Sequence, residues 1–336
     1  MNSKPISTER LDVDSLPDLS RHAFELSVTS LVGGVPLTLP VNLIAGRGPR
    51  PRVALVAGIH GDEHEGILAL LDLWRSLSPE EISGRLLIVP VANPPAFGAG
   101  TRTSPIDGLD MNRIFPGKPR GTASEQLAHT LFTNVVSGAD LLFSLHSWFA
   151  VGTVLPYIEI FEQPLPVVRS SYEAALASGF EHIRISDWPP GLLTRCANEV
   201  GVVGIEAEVG GYGHATADGQ RVYRDALIRV LEHVGALPPI PRRSRVAPHI
   251  VRRIAVQSSV GGFLRLRTQL GDSVTAGEVV AEVADCAGRS VAAVTSPEAG
   301  IVAAIRGVAS VAPGHPVVWL FTPAELPAFG QGQRRG

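Results

Sequence analysis

Val53-Ala54-Leu55-Val56-Ala57-Gly58-Ile59-His60-Gly61-Asp62-Glu63-His64-Glu65-Gly66 is the stretch on which the reading of this chain turns. Its first five residues have the length and β-branched content of a buried strand. Ile67, Leu68, Leu70, Leu71 and Trp74 then recur at helical spacing. A histidine and several carboxylates therefore stand where a central strand ends and a helix begins, the edge at which open α/β sheets bind ligands. Imidazole and carboxylate together suit zinc. Three readings of the stretch stay open at this point. His60 and Glu63 are metal ligands with a third to come from far down the chain. Alternatively, His60-Gly61-Asp62-Glu63-His64 is the inverted zincin pattern H-x-x-E-H, with both histidines ligating and Glu63 as base. That pattern needs both histidines on one helical turn, whereas Gly61-Asp62 suits a loop and a helix cap. In the third reading these are ordinary polar loop and cap residues.

The 336 residues suffice for a sizeable core and point to two domains. Apolar content of 45% with 18% charged residues is that of a globular chain and excludes a disordered one. A net charge of −3 gives no support to nucleic-acid binding. Cys196 and Cys286 are too few and too far apart for a disulfide framework. Met1-Asn2-Ser3-Lys4-Pro5 lacks the apolar stretch of a signal peptide, and no window approaches the roughly 18 apolar residues of a membrane span. The expectation is a cytoplasmic protein with no membrane partner. Nothing in the sequence speaks against assembly into a homo-oligomer.

Residues 1–20, polar with prolines, read as a loose arm. Phe24–Val28 and Leu37–Leu43 alternate as strands, and Gly46–Pro51 reads as a turn before the central strand. Leu86–Val91 is a second buried strand, and a Gly- and Pro-rich loop covers 96–122. Thr122-Ala123-Ser124-Glu125 opens a helix through about Val136. Leu141–Leu145 is a short strand ending directly on His146, and Val202–Ile205 another that ends in Glu206-Ala207-Glu208-Val209-Gly210-Gly211. Arg221–Gly235 reads as an amphipathic helix. This alternation predicts an α/β domain over 20–240 with a mixed, mostly parallel sheet and helices on both faces.

Pro238-Pro239-Ile240-Pro241-Arg242-Arg243 is a linker by composition. Beyond it, short Val- and Ala-rich alternations separated by turns predict a small all-β module of about 80 residues, 247–324. Leu270–Val280 and Ser296–Val302 resemble the flattened sandwich of biotinyl and lipoyl carrier domains. Those carriers need a lysine at a hairpin tip, and the only lysines here are Lys4 and Lys118. The module is expected to act geometrically.

Polar groups gather at four places that an apolar sheet would otherwise avoid: His60 with Glu63, the loop Arg102–Arg113, His146, and Glu206 with Glu208. A lone histidine is more often structural, but His146 beside His-x-x-Glu completes two His and one Glu, the ligand set of catalytic zinc hydrolases. Glu206 and Glu208, two apart on a strand, point to one face, so either can serve as the base. Arginines of a long irregular loop are candidates for oxyanion stabilisation.

Gly58-Ile59-His60-Gly61-Asp62-Glu63, Asn93-Pro94, Arg102, Asp107–Gly117, Leu145-His146-Ser147 and Glu208-Val209-Gly210 resemble the succinylglutamate desuccinylase/aspartoacylase family, part of the wider zinc carboxypeptidase-like superfamily. The likeness runs from about residue 35 to the end of the chain, and the Asp110-Met111-Asn112-Arg113-Ile114-Phe115-Pro116-Gly117 run is its most specific part. It implies one Zn2+ per chain bound by His60, Glu63 and His146, with Glu208 as general base and Arg102 polarising the scissile carbonyl. It further implies that Asn112 and Arg113 hold a substrate carboxylate and that Arg195 binds a second anionic group. The doubled Glu206-Ala207-Glu208 departs from the family's single Glu and keeps Glu206 as an alternative base. The implied activity is zinc-dependent hydrolysis of the amide bond of an N-acylated amino acid or related small carboxylate-bearing amine. Two alternatives remain: a zinc carboxypeptidase acting on peptides, and a catalytically silent binding protein on the same fold.

Overall fold

The structure, a computed structural model, describes residues 5–163, 165–241 and 247–326. The first nine strands are β1 (Ile6–Thr8), β2 (Ser20–Ser30), β3 (Pro36–Ala45), β4 (Arg47–Ala57), β5 (Ser83–Val89), β6 (Leu141–His146), β7 (Gly152–Phe161), β8 (His182–Ser186) and β9 (Val203–Gly211). Among them lie helices α1 (Glu65–Ser76), α2 (Pro94–Ala99), α3 (Ala123–Leu131), α4 (Pro166–Ser178) and α5 (Leu193–Glu199), with α6 (Ala217–His233) after β9. The C-terminal part is all strand: β10 (His249–Gln257), β11 (Gly262–Leu266), β12 (Ser273–Val274), β13 (Val279–Ala284), β14 (Ser290–Thr295), β15 (Gly300–Arg306), β16 (Ser310–Val311) and β17 (Pro316–Pro323).

β4 shows why the central strand is apolar without interruption. Val53, Leu55 and Ala57 pack into one core with α1, α4 and α6, while Ala54 and Val56 pack into another with α3 and α5. Both faces are covered, as parallel strands between helices require. Leu55 is fully buried; truncation to alanine there would cost about 2–5 kcal/mol. In α1, Ile67, Leu70 and Leu73 face the core, whereas Leu68 and Leu71 of the expected apolar face are exposed. Thr122 and Glu125 form a reciprocal capping box that starts α3. A single π turn, Phe132–Val136, carries that helix on to the end expected for it.

Thirteen strands make one sheet in the order β1-β2-β3-β5-β4-β6-β9-β7-β8-β10-β17-β15-β12. Its core, β5-β4-β6-β9, is parallel, as are β7-β8-β10 and β1-β2; β2-β3-β5 and β9-β7 are antiparallel. Within residues 20–240 the sheet is thus mixed but mostly parallel, as expected, and its antiparallel β9–β7 pair arises because β7 follows β6 without a crossover helix. An additional pairing of β15 with β7 closes a ring, β7-β8-β10-β17-β15. The parts expected as 20–240 and 247–324 thus share strands, and neither leaves that edge unpaired. β14-β13-β11-β16 form a second sheet, packed over β10, β12, β15 and β17 around Val256, Val283, Val302 and Leu320.

Several local expectations are corrected. Residues 5–20 are no loose arm: β1 pairs with β2, Leu11 and Val13 are buried, and the Leu11 amide donates to Asn134 Oδ1. Gly46–Pro51 lies largely within β4, whose Arg47 pairs with Ser83. The loop expected over 96–122 begins with the end of α2. Val202–Ile205 does not end before the glutamates; β9 continues through Gly211. The linker at Pro238–Arg243 runs into residues 242–246, outside the described residues. No helix among the described residues is long and apolar enough to cross a membrane.

Candidate metal centre

Leu141, Phe143 and Leu145 of β6 and Ile205, Ala207 and Val209 of β9 fill the core under α1, α4 and α6. Strand alternation then turns Ser144, His146, Glu206 and Glu208 to the opposite face. The register sets Ser144 beside Glu206 and His146 beside Glu208. From β4, the chain leaves as a tight loop to α1, with the Gly61 amide bonded to the Thr101 carbonyl. A Cβ at Gly61 would lie 2.0 Å from backbone atoms of Ala96, so only glycine permits this close approach. The loop carries His60 and Glu63 inward, both buried.

Glu63 joins the two histidines. Its Oε1 lies 2.7 Å from His60 Nδ1 and its Oε2 2.8 Å from His146 Nδ1. The Ser147 amide also donates to Oε2, at 3.1 Å. One donor atom from each of His60, Glu63 and His146 lies within 4.8 Å of the other two. The far nitrogens of both rings are engaged as well. His60 Nε2 is 3.0 Å from Asp110 Oδ1, and His146 Nε2 is 3.0 Å from Ser144 Oγ. Such outer partners fix the ring orientation and leave the Nδ1 atoms facing one another.

The electrostatics call for a cation. Burial opposes ionisation of Glu63, but the adjoining His60 and His146 outweigh it and hold the carboxyl well below its usual range. Burial also opposes charge on His146, yet Glu206 and Glu63 push its pKa up to about 10. Burial raises Glu206, with His146 pulling the other way. Burial and then the Glu63 charge drive Glu208 well above the ordinary carboxylate value. Glu208 Oε2 is buried without a hydrogen-bond partner. Two imidazoles and a carboxylate, gathered within reach of one another amid further acids, fit a metal ion.

Around these donors, Arg102 donates through Nε to Asp110 Oδ2 at 3.1 Å, and its Nη1 reaches to 3.5 Å from Glu63 Oε1. Its guanidinium stands 5.2 Å from the Phe149 ring centre. Asn112 is buried, and its Oδ1 accepts from the Leu193 amide at 2.9 Å, which pins the loop to the start of α5. Arg113 is exposed and folds back to the Asn112 carbonyl. Glu206 Oε2 accepts from Thr194 at 3.0 Å and lies 3.8 Å from His146 Nε2, on the side of the ring away from Glu63. Two residues stand outside the group. His64 Nε2 donates to the Gly61 carbonyl and the ring sits edge-on to Phe97. Arg195 is taken up by Glu199, the Trp188 carbonyl and the face of Phe161.

Sequence reasoning passed over three supports of the site. Asp110 bonds both His60 and Arg102, and its place between hydrophobic neighbours in the Asp-Met-Asn-Arg run was the available signal. Tyr223, an aromatic on the buried face of α6, sets its hydroxyl among the His146 amide and the carbonyls of His146 and Ala207. Glu65 is fully buried, accepts from Ser147 Oγ at 2.5 Å, and burial raises its pKa. A Cβ at Gly210 would meet Glu65 Oε1 at 2.1 Å, and Gly210 has φ +74°, which gives the glycine after Glu208-Val209 a physical reason.

Comparison with known proteins bears on this geometry. The pattern of the succinylglutamate desuccinylase/aspartoacylase catalytic domain matches residues 49–234. The chain is 32% identical to an N-alpha-acetyl-L-2,4-diaminobutyric acid deacetylase of Halomonas elongata, over 83% of this chain and 84% of that one. A succinylglutamate desuccinylase/aspartoacylase structure from Rhodobacter sphaeroides superposes with a TM-score of 0.86 at 28% identity, covering 94% of this chain and 99% of that chain. The product-bound ectoine utilization protein EutE (DoeB) of Ruegeria pomeroyi gives a TM-score of 0.84 at 26% identity, covering 92% and 98%.

Proposed function

The chain belongs to the succinylglutamate desuccinylase/aspartoacylase family, and from that premise we propose that it is a zinc-dependent deacylase hydrolysing the amide bond of an N-acylated amino acid or a related small carboxylate-bearing amine. One observation carries the reading. The register of β6 on β9 sets Glu208, with its unpartnered oxygen, directly beside the His60–Glu63–His146 donors. The name of the diaminobutyric acid deacetylase relative supports a small N-acyl amino acid as the substrate class.

His60, Glu63 and His146 would hold one zinc ion per chain. Bound there, zinc supplies Lewis acidity that brings the pKa of water towards neutrality and polarises an amide carbonyl. Glu208 accepts the proton of the attacking water and delivers it to the nitrogen of the departing amine. Its raised affinity for a proton suits the second half of that task. Arg102, oriented by Asp110, presents Nη1 to the cluster and stabilises the developing oxyanion. Asn112, whose side-chain Oδ1 is occupied by the Leu193 amide, offers its Nδ2 hydrogens, and Arg113 its guanidinium, to a substrate carboxylate. Residues 247–324 would narrow the entrance so that small N-acyl amino acids enter and peptides do not.

Zinc-loaded and chelated protein assayed on a panel of N-acetyl, N-succinyl and N-aspartyl-type amino acids tests the reading. Glu208→Gln should keep the metal and lower kcat by about 10²–10⁴-fold. Glu206→Gln should be milder, because its carboxyl is tied to Thr194 behind the His146 ring. Reversed phenotypes would move the base to Glu206, and equal turnover of peptides would favour a carboxypeptidase.

A further inference from the structure

Between the turn that follows His146 and the C-terminal strands lies a cavity of about 340 Å³, near the low end of small-molecule sites. Arg253 of β10, Arg306 of β15, His315 and the indoles of Trp148 and Trp319 line it, and no acidic side chain does. Among the described residues, no ion pair neutralises either arginine. Arg253 donates to the Tyr157 hydroxyl and lies 4.7 Å from the centre of the Trp148 ring. Arg306 Nε donates to the Ser310 carbonyl at 2.9 Å. The buried Glu159 carboxylate, outside the cavity wall, feels the charge of Arg253, but the recess itself offers these two cations no acidic group, an arrangement that suits an anion.

The indole of Trp148 points the same way. Trp148 is only 3% exposed, and its Nε1 has no hydrogen-bond partner. Buried N–H groups without partners are costly and rare. Gly152, another wall residue, lies alongside: a Cβ there would stand 3.3 Å from Trp148 Nε1. With no side chain at Gly152, no Cβ crowds that donor edge. Arg306 pairs with Gly152 across the β7–β15 ladder, so its side chain shares that face. Trp319 meets Trp148 edge-on at 5.1 Å, which gives the recess an apolar flank.

The cavity adjoins the metal centre by two links. Phe149 belongs to its wall and carries Arg102 on its ring. Tyr157, which holds Arg253, stands opposite Glu208 in the β7–β9 register. We propose that this cavity binds a short-chain organic carboxylate, a second one beyond that assigned to Arg113, through the guanidiniums of Arg253 and Arg306 and the Trp148 N–H, with the indoles against its methylenes. Such a carboxylate comes either from the free end of a dicarboxylic acyl group on the substrate or from a free acid bound on its own.

Titration calorimetry of the metal-loaded full chain with succinate tests the site. Arg306→Ala should weaken binding about tenfold, the loss of one charge-assisted contact, and Trp148→Phe should weaken it several-fold while keeping an aromatic ring in place. Arg102→Ala, on the metal side of Phe149, should bind as the unaltered chain does. Absent succinate binding, equal binding by Arg306→Ala and Trp148→Phe, or loss in Arg102→Ala alone would overturn the proposal. A kinetic arm rests on the deacylase reading and identifies the source. If the acyl end fills the cavity, Arg306→Ala raises KM for an N-succinyl amino acid about tenfold and spares its N-acetyl counterpart. If a free acid does, succinate changes N-acetyl hydrolysis saturably and Arg306→Ala abolishes that response. Arg306-dependent binding in a protein that hydrolyses neither substrate would sink the deacylase reading and leave the site standing.

Discussion

Asp110→Asn isolates the support of the metal donors from the donors themselves. Asp110 holds His60 Nε2 through Oδ1 at 3.0 Å and Arg102 through Oδ2 at 3.1 Å, with its side chain only 17% exposed. Burial resists its charge, but the bond to His60 and the charges of His60 and Arg102 keep it ionised, well below the usual carboxylate range. Asparagine preserves the shape and can still accept from the Asn112 amide, so the turn at Met111–Arg113 should survive. What disappears is the negative charge behind His60 and one of the two acceptors. Loss of an outer carboxylate of this kind typically weakens metal binding 10–100-fold, about 1.4–2.8 kcal/mol. Competition of zinc-loaded protein against a graded chelator series reads that ratio directly, and circular dichroism of the metal-free variant checks the fold. A second effect follows from Arg102: at saturating zinc the variant should retain a kcat deficit, since Nη1 is no longer held towards Glu63. Unchanged zinc affinity in a folded variant would refute the reasoning. So would a loss of affinity matched by an equal fall in the stability of the metal-free chain, because Asp110 would then support the fold and not the metal.

His64→Ala should bind zinc as tightly as the unaltered chain while His146→Ala loses it, measured by metal content after dialysis; the reverse pattern would restore the inverted zincin reading. Arg113→Ala should raise KM for acid substrates far more than for their neutral esters in parallel steady-state assays, and equal losses would remove Arg113 from carboxylate binding. Glu159, across the β7–β9 ladder from Glu206, provides a pH signature of its own. Burial opposes its charge, but Arg184 and Arg253 with the Trp188 N–H bring its pKa down to about 2. A depressed folded-state pKa stabilises the protein above pH ~4.5 and loses that contribution as pH falls towards ~2. Chemical denaturation from pH 6 to 2 should therefore show a steeper acid limb for the unaltered chain than for Glu159→Gln, and coincident limbs would contradict the pairing.

How far the sequence could be read follows from which physical signals are local. The strand–loop–helix at Val53–Ser76 was legible because each piece carries its own pattern: a strand covered on both faces is apolar throughout, and Gly58 and Gly61 punctuate its end. His60, Glu63 and His146 were legible as candidates because histidine and glutamate beside apolar strands need a reason to be there. Their convergence was not, since it depends on β4 and β6 being neighbours, a fact of strand order that no window of sequence contains. The choice between Glu206 and Glu208 was undecidable at that level for the same reason. Both share one face of β9, and only the partners across the sheet differ, Thr194 and the back of His146 for one, an unpartnered oxygen for the other. The C-terminal part shows the limit most clearly. Turn spacing marks its strands, but a strand's own sequence says nothing of which edge it will join. β10 joins β8, β15 joins β7, and the resulting ring brings Arg253 and Arg306 against Trp148. Read separately, those arginines are surface charges on a small β module. Read through the ring, they stand against β7, the neighbour of the strand that carries Glu208, and a chain ending at Pro241 would lose them together with the pairing partners of β7 and β8.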